Sequence, residues 1–137
     1  AKMARKNAER QEVSDRLSVI RADLFDSPDY IGGEKFDAVI SNPPYIPISE
    51  REAMHINVTN FEPAMAIFVE DSDPLIFYRE IARIAKSRLS DRGSLLFEIH
   101  ELLSDETLQM LQSEGFEAEL RHDFLNKPRM ICCHKRE

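Results

Sequence analysis

The chain has 137 residues, 42% hydrophobic and 31% charged, with a formal net charge of −7. That is the size and composition of one globular domain with one core. The acidic balance argues against a bulk phosphate-backbone binder, and no apolar run approaches the roughly 20 residues of a membrane span.

In chain order, residues 1–12 read as the end of a helix with exposed Lys, Arg and Glu. The opening Ala1-Lys2-Met3-Ala4-Arg5-Lys6 is charged, so no signal peptide is expected. Leu17-Ser18-Val19-Ile20 reads as a strand, followed by Arg21-Ala22-Asp23-Leu24-Phe25. Asp26 to Glu34, with Pro28, Gly32 and Gly33, is a loop. Phe36-Asp37-Ala38-Val39-Ile40-Ser41 is a short buried strand, and 42–72 is a long irregular segment of the kind that carries function or moves. Leu75, Tyr78, Ile81, Ala82, Ile84, Ala85 and Leu89 recur at helical spacing, which predicts a helix over 74–89, N-capped by Asp73 with Pro74 at its first position. Arg92-Gly93 breaks that pattern, and Ser94 to Ile99 is a strand. A further helix begins at Ser104 and ends at Gly115. Phe116 to Arg121 and Arg129 to His134 are two last strands. The order α-β-β-α-β-α-β-β predicts an α/β domain over 1–137: a mostly parallel sheet closed by a C-terminal antiparallel hairpin.

Cys132 and Cys133 adjoin, and strand neighbours point to opposite faces. They are expected to be small core residues of a cytoplasmic protein rather than a disulfide. The four histidines share no ligand spacing with them, so no metal is expected.

The most informative residues are Asn42-Pro43-Pro44-Tyr45, which directly follow the strand at 36–41. As a bare turn signal they need no function, because proline restricts itself and the residue before it. Their place at the carboxyl end of a strand, where open α/β sheets bind ligands, favours a site. Asn42 offers a side-chain carbonyl, Pro43 a carbonyl without an N–H, and Tyr45 a flat face. Two acceptors on an NH2 group free its lone pair for an electrophile, and the methyl of S-adenosylmethionine is the expected one.

These residues resemble the class I S-adenosylmethionine-dependent methyltransferases, and within them the release-factor glutamine methyltransferases (HemK/PrmC). The resemblance rests on Ala8-Glu9-Arg10, Arg21 to Phe25, Phe36 to Pro47, Phe61 to Phe68, Phe77-Tyr78-Arg79 and Phe97-Glu98-Ile99. It implies a Rossmann-like sheet and methyl transfer to the side-chain amide of a release-factor glutamine. Asn42, Pro43, Pro44 and Tyr45 would form the catalytic turn, with Pro44 stiffening it. Asp23, Leu24 and Asn42 would hold the cofactor, Asp23 accepting from the adenine amine. The alternatives stay open: Asp23 as a turn cap, Glu62 as a solvated loop carboxylate, Phe77 and Tyr78 as helix packing.

The family's first two strands and its Gly-rich loop are absent: none of Gly32, Gly33, Gly93 and Gly115 sits in a Gly-x-Gly turn. Those strands would lie between the strand at 17–21 and that at 36–41. A truncated chain, a sequence given only in its ordered part, or an oligomer that borrows a strand would each account for this. His100 and Val69-Glu70-Asp71-Ser72 stand where the family carries glycines, which leaves local loop geometry open. Expected partners are a release factor, with no direct nucleic acid and no membrane. Two further readings remain: a DNA or RNA amino-methyltransferase using the same turn, and a non-catalytic fragment.

Overall fold

The computed structural model describes residues 1–26, 31–53 and 63–136. The contacts divide them into two units, Ala1–Gly32 and Gly33–Glu137.

In the first unit, α1 spans Lys2–Arg10 and buries Ala8. The segment predicted as a strand at 17–20 pairs with nothing among the described residues. The backbone at Leu17 is extended, yet Leu17 and Ile20 are exposed and the Val19 carbonyl is taken by the Arg5 guanidinium at 3.0 Å. Extended backbone becomes a strand only when a neighbour supplies the ladder.

The second unit holds a four-stranded sheet. Its strands are β1 (Phe36–Ser41), β4 (Leu89–Glu98), β5 (Phe116–His122) and β6 (Pro128–Lys135), in the order β1-β4-β6-β5. A separate parallel pair joins β2 (Ile46–Pro47) to β3 (Phe68–Val69). β1 runs parallel to β4, while β6 is antiparallel to both β4 and β5. The sheet is as expected: β1, β4 and β5 run one way, and β6 of the closing hairpin alone runs against them. Among the described residues β1 lies at the edge of the sheet, and Ile40 is 77% exposed, so it is not the buried strand expected.

One face of the sheet carries the core. Leu95, Phe97, Ile131 and Cys133 are buried there in register, Leu95 opposite Cys133 and Phe97 opposite Ile131. Helix α2 (Ile76–Arg88) adds Tyr78, Ile81, Ala82 and Ala85, the i, i+3, i+4, i+7 stripe that the spacing implied. Helix α3 (Ser104–Ser113) adds Thr107 and Leu111. Tyr78 meets Phe97 edge to face at 5.1 Å, and its hydroxyl donates to the Glu98 backbone carbonyl at 3.1 Å. Tyr78 is thus core packing.

Asp73 does not cap α2, which starts at Ile76 with Leu75 before it. Its carboxylate instead takes two bonds from Arg79, at 2.8 and 3.2 Å, which hold its pKa below the usual carboxylate range. The carboxylate also accepts from the Leu75 backbone N–H just before the helix, while the charged Arg79 is its stronger partner.

Gly93 does not end an element; it lies inside β4. The ladder steps from Phe36↔Leu89 to Ala38↔Ser94, so the longer β4 segment is taken up in a bulge. Gly115 does end α3, at φ 93, where a side chain would be strained.

Cys132 and Cys133 are free, the second fully buried; burial pushes its thiol up to about 12. Among the described residues no cluster could hold a metal ion, and no helix is long and apolar enough to cross a membrane.

Candidate active site at the carboxyl end of the parallel strands

Parallel pairing brings the carboxyl ends of β1 and β4 to one edge, with Ser41 opposite Phe97. The chain leaves β1 at Asn42 and cannot continue the ladder, because Pro43 and Pro44 lack N–H groups. Pro43 is buried and Pro44 half-buried, while Asn42 is exposed and its amide has no hydrogen-bond partner among the described residues. The Tyr45 and Ile46 N–H groups both donate to the Ile67 carbonyl, at 3.2 and 3.0 Å, and so anchor the far side of the turn.

Tyr45 is the fixed point. Its hydroxyl donates to Glu98 Oε1 at 2.9 Å, and its ring meets His100 edge-on at 6.0 Å. Burial, then the Glu98 carboxylate, push its pKa up to about 12, so the hydroxyl stays protonated and keeps donating. His100 Nδ1 accepts the Leu102 N–H at 3.1 Å, which places the neutral ring's proton on Nε2, facing Glu50 Oε2 at 3.1 Å. Asp71 Oδ1 accepts from both the N–H and the hydroxyl of Ser49. Those bonds hold the Asp71 pKa low. Asp71 and His100 therefore both grip the short turn at Ile48–Ala53, just after Tyr45.

Two hollows flank the turn. One, of about 250 Å³, is lined by Tyr45, Glu50, His100, Leu102 and Arg129 among others. The other, about 340 Å³ and mostly apolar, lies along the open sheet face by Ile40, Asn42, Leu96, Met130 and Cys132.

The structure therefore brings Asn42, Pro43, Pro44 and Tyr45 together in the second unit. Asp23 and Leu24 belong to the first unit. There Asp23 Oδ1 accepts the Phe25 N–H at 3.0 Å, which is the turn-cap role, and the Asp23 backbone carbonyl accepts from Asp26. The carboxylate is exposed and retains acceptor capacity, and the Leu24 N–H has no partner among the described residues. An acceptor next to a free N–H suits the edge of an adenine. Glu62 lies outside the described residues, as does the stretch 54–62 of the long segment.

Sequence reading assigned no role to Glu98, Glu50, His100 or Arg129. Glu98 could have been found, since it sits at the carboxyl end of a predicted strand. Glu50 and Arg129 reach the site through the fold alone, with no local signal.

No family model matches the chain. Among curated proteins it is similar to the release factor glutamine methyltransferases of Flavobacterium psychrophilum and Bacteroides thetaiotaomicron. The first is 39% identical over 93% of this chain and 44% of the relative; the second is 35% identical over 97% and 47%. A bifunctional methyltransferase of Rickettsia bellii is 39% identical over 83% of this chain and 20% of its own length. Among solved structures, the ribosomal protein L11 methylase of Lactobacillus delbrueckii subsp. bulgaricus superposes with a TM-score of 0.62 at 15% identity, over 99% of this chain and 52% of that one. That likeness shows the fold, the class I methyltransferase α/β sheet. The chain spans about half the length of the curated release factor enzymes it matches. It is a relative of the release factor glutamine methyltransferases, built on the class I methyltransferase fold.

Proposed function

We propose that this chain is the substrate-facing part of an S-adenosylmethionine-dependent methyltransferase that acts on the side-chain amide of a glutamine in a peptide chain release factor. One observation carries the reading. Asn42 is exposed at the end of β1 and its amide has no partner among the described residues, while Tyr45, three residues on, is locked to Glu98. The names of the relatives support the same assignment.

An amide nitrogen is a poor nucleophile, because its lone pair is delocalised into the carbonyl. Asn42 Oδ1 and the Pro43 carbonyl are acceptors for the two NH2 hydrogens; bonded to them, the nitrogen gains electron density and its growing positive charge is stabilised. Pro44 holds the two acceptors in place, and the Tyr45 ring packs on the planar amide. This is preorganised electrostatics plus positioning; the N-methylated amide cation is a strong acid and passes its extra proton to solvent, so no strong base is needed. Asp23 and Leu24 are the residues suited to the adenine of the cofactor. When bound, that cofactor supplies a methyl already activated by its sulfonium charge.

A nucleic-acid base amine would suit the same turn but would bring phosphates with it. Glu50, Glu98 and Glu101 stand around Tyr45, and Arg129 already faces Glu101 and Asp123. That acidic rim favours a protein substrate.

The test is incubation of the protein that carries this chain with labelled S-adenosylmethionine and a release factor, followed by peptide mass mapping. One methyl on a glutamine is the expected result. Label on DNA or RNA instead would move the assignment to a base amino-methyltransferase. Folded protein with no cofactor binding and no label would leave the non-catalytic reading.

A further inference from the structure

We propose that the tip of the β5–β6 hairpin, with Leu102, is a docking surface for the protein that carries the target amide. This rests on the reading above, in which the substrate is a protein. Phe124 is 96% exposed, Leu125 65% and Leu102 71%. Single exposed apolar residues are ordinary; these three are held rigidly on two segments that are clamped together.

The rigidity comes from Asp123. Its Oδ1 accepts the N–H groups of Leu125 at 2.8 Å and Lys127 at 3.0 Å. Its own N–H donates to the Lys127 carbonyl, and its carbonyl accepts from Asn126, which takes the left-handed conformation at φ 59. Phe124 and Leu125 are thus presented on a turn whose backbone bonds are already made.

The clamp is ionic. Lys127 Nζ reaches Glu101 Oε2 at 3.0 Å, which ties the hairpin tip to the turn that carries Leu102. Arg129 lies within 3.6 Å of Asp123 and 3.8 Å of Glu101. Arg129 and Leu102 also line the hollow that holds Tyr45, so the apolar tip continues into the rim of the candidate site.

The chemistry selects the partner. Arg121, Lys127 and Arg129, the cations flanking the tip, are balanced by Glu119, Glu101 and Asp123, so the tip offers no surplus positive charge to a phosphate backbone. What remains is apolar surface whose ordering cost is already met, which fits apolar side chains on a folded protein. Contacts remote from the reacting atoms give affinity and register without taking part in the chemistry.

The test compares the protein carrying this chain with its F124S/L125S variant, and separately with Leu102→Ser. Binding of an intact release factor is measured by calorimetry, and methyl transfer to a short glutamine peptide is measured in parallel. The peptide lacks the folded surface that the hairpin tip is proposed to bind. The proposal expects release-factor affinity to fall about 10-fold or more in the double variant, with its peptide turnover unchanged, and severalfold in Leu102→Ser. Release-factor affinity within twofold of the parent in both variants, with methyl transfer intact, overturns the docking surface alone. Absence of methyl transfer to both substrates by the unmodified protein overturns the functional reading and this partner with it. Loss of oligonucleotide binding in the variants would show that the tip serves nucleic acid, and would overturn the proposal too.

Discussion

Tyr45→Phe removes one hydroxyl and tests the anchor of the site. The bond it deletes is 2.9 Å long and ends on a carboxylate oxygen of Glu98. A hydrogen bond to a charged group contributes about 1.5–3 kcal/mol when buried. Tyr45 and Glu98 are both only half-buried, so solvent screening brings the figure to about 1 kcal/mol. The titration bears on the pH dependence rather than on the size of the bond: burial is the largest cause of the rise from 10.0 to about 12, and Glu98 comes after it. The sign follows from linkage. The folded pKa lies above the unfolded one, so this stability is fully present below pH 10 and is lost as pH rises from 10 through 12. The measurement is urea unfolding of parent and variant, near neutral pH and in steps up to about pH 11. The variant should be less stable by about 1 kcal/mol at neutral pH and should lose less on going alkaline, so that the two curves converge. Some alkaline loss remains in both, because burial also raises the Tyr78 pKa. Equal stability at neutral pH with equal alkaline slopes would refute the Tyr45–Glu98 anchor.

Gly93→Ala should cost about 1–3 kcal/mol in urea midpoint, because the new Cβ would meet the Phe36 carbonyl oxygen and Leu89 Cδ2, each at 2.9 Å. The backbone oxygen cannot retreat, and the unfolded-state gain of about 0.4–1 kcal/mol is smaller; an unchanged midpoint would mean the β4 bulge is misplaced. His100→Ala leaves the Leu102 N–H and Glu50 without their imidazole partner. Hydrogen exchange at the Leu102 amide should speed up by at least severalfold, whereas exchange in α2 should not change; uniform acceleration would point to global destabilisation instead. Iodoacetamide on the native protein should label half-exposed Cys132 and spare fully buried Cys133, with both labelled in urea; equal native labelling would contradict the β6 register.

Much of this was legible in the sequence for a definite physical reason. The stripe Tyr78, Ile81, Ala82, Ala85 spells α2 because a helix buries one face, and Gly115 marks a helix end because it can take φ 93. The turn at Asn42–Tyr45 was legible because prolines cannot extend a ladder. What stayed hidden was long-range. Leu17 to Ile20 has the composition of a strand, but a strand is made by its neighbour. Asp73 before Pro74 reads as a helix cap, and only the fold shows that Arg79 is its main partner. Gly93 looks like a break, and only the Phe36–Leu89 pairing makes it a bulge. In the site, Asn42 to Tyr45 are four residues of local code, whereas Glu98 and His100 reach Tyr45 from the end of another strand and Glu50 joins them through His100.

The most direct measurement is single-turnover methyl transfer to a release factor by the protein carrying this chain and by its Asn42→Ala variant, with cofactor and substrate affinities measured on the same samples. If Asn42 is an acceptor for the amide NH2, the chemical step should slow by about 10²–10³-fold, the scale of losing one preorganised polar partner, while both affinities change far less. An unchanged chemical step, with any loss confined to binding, would contradict the catalytic turn.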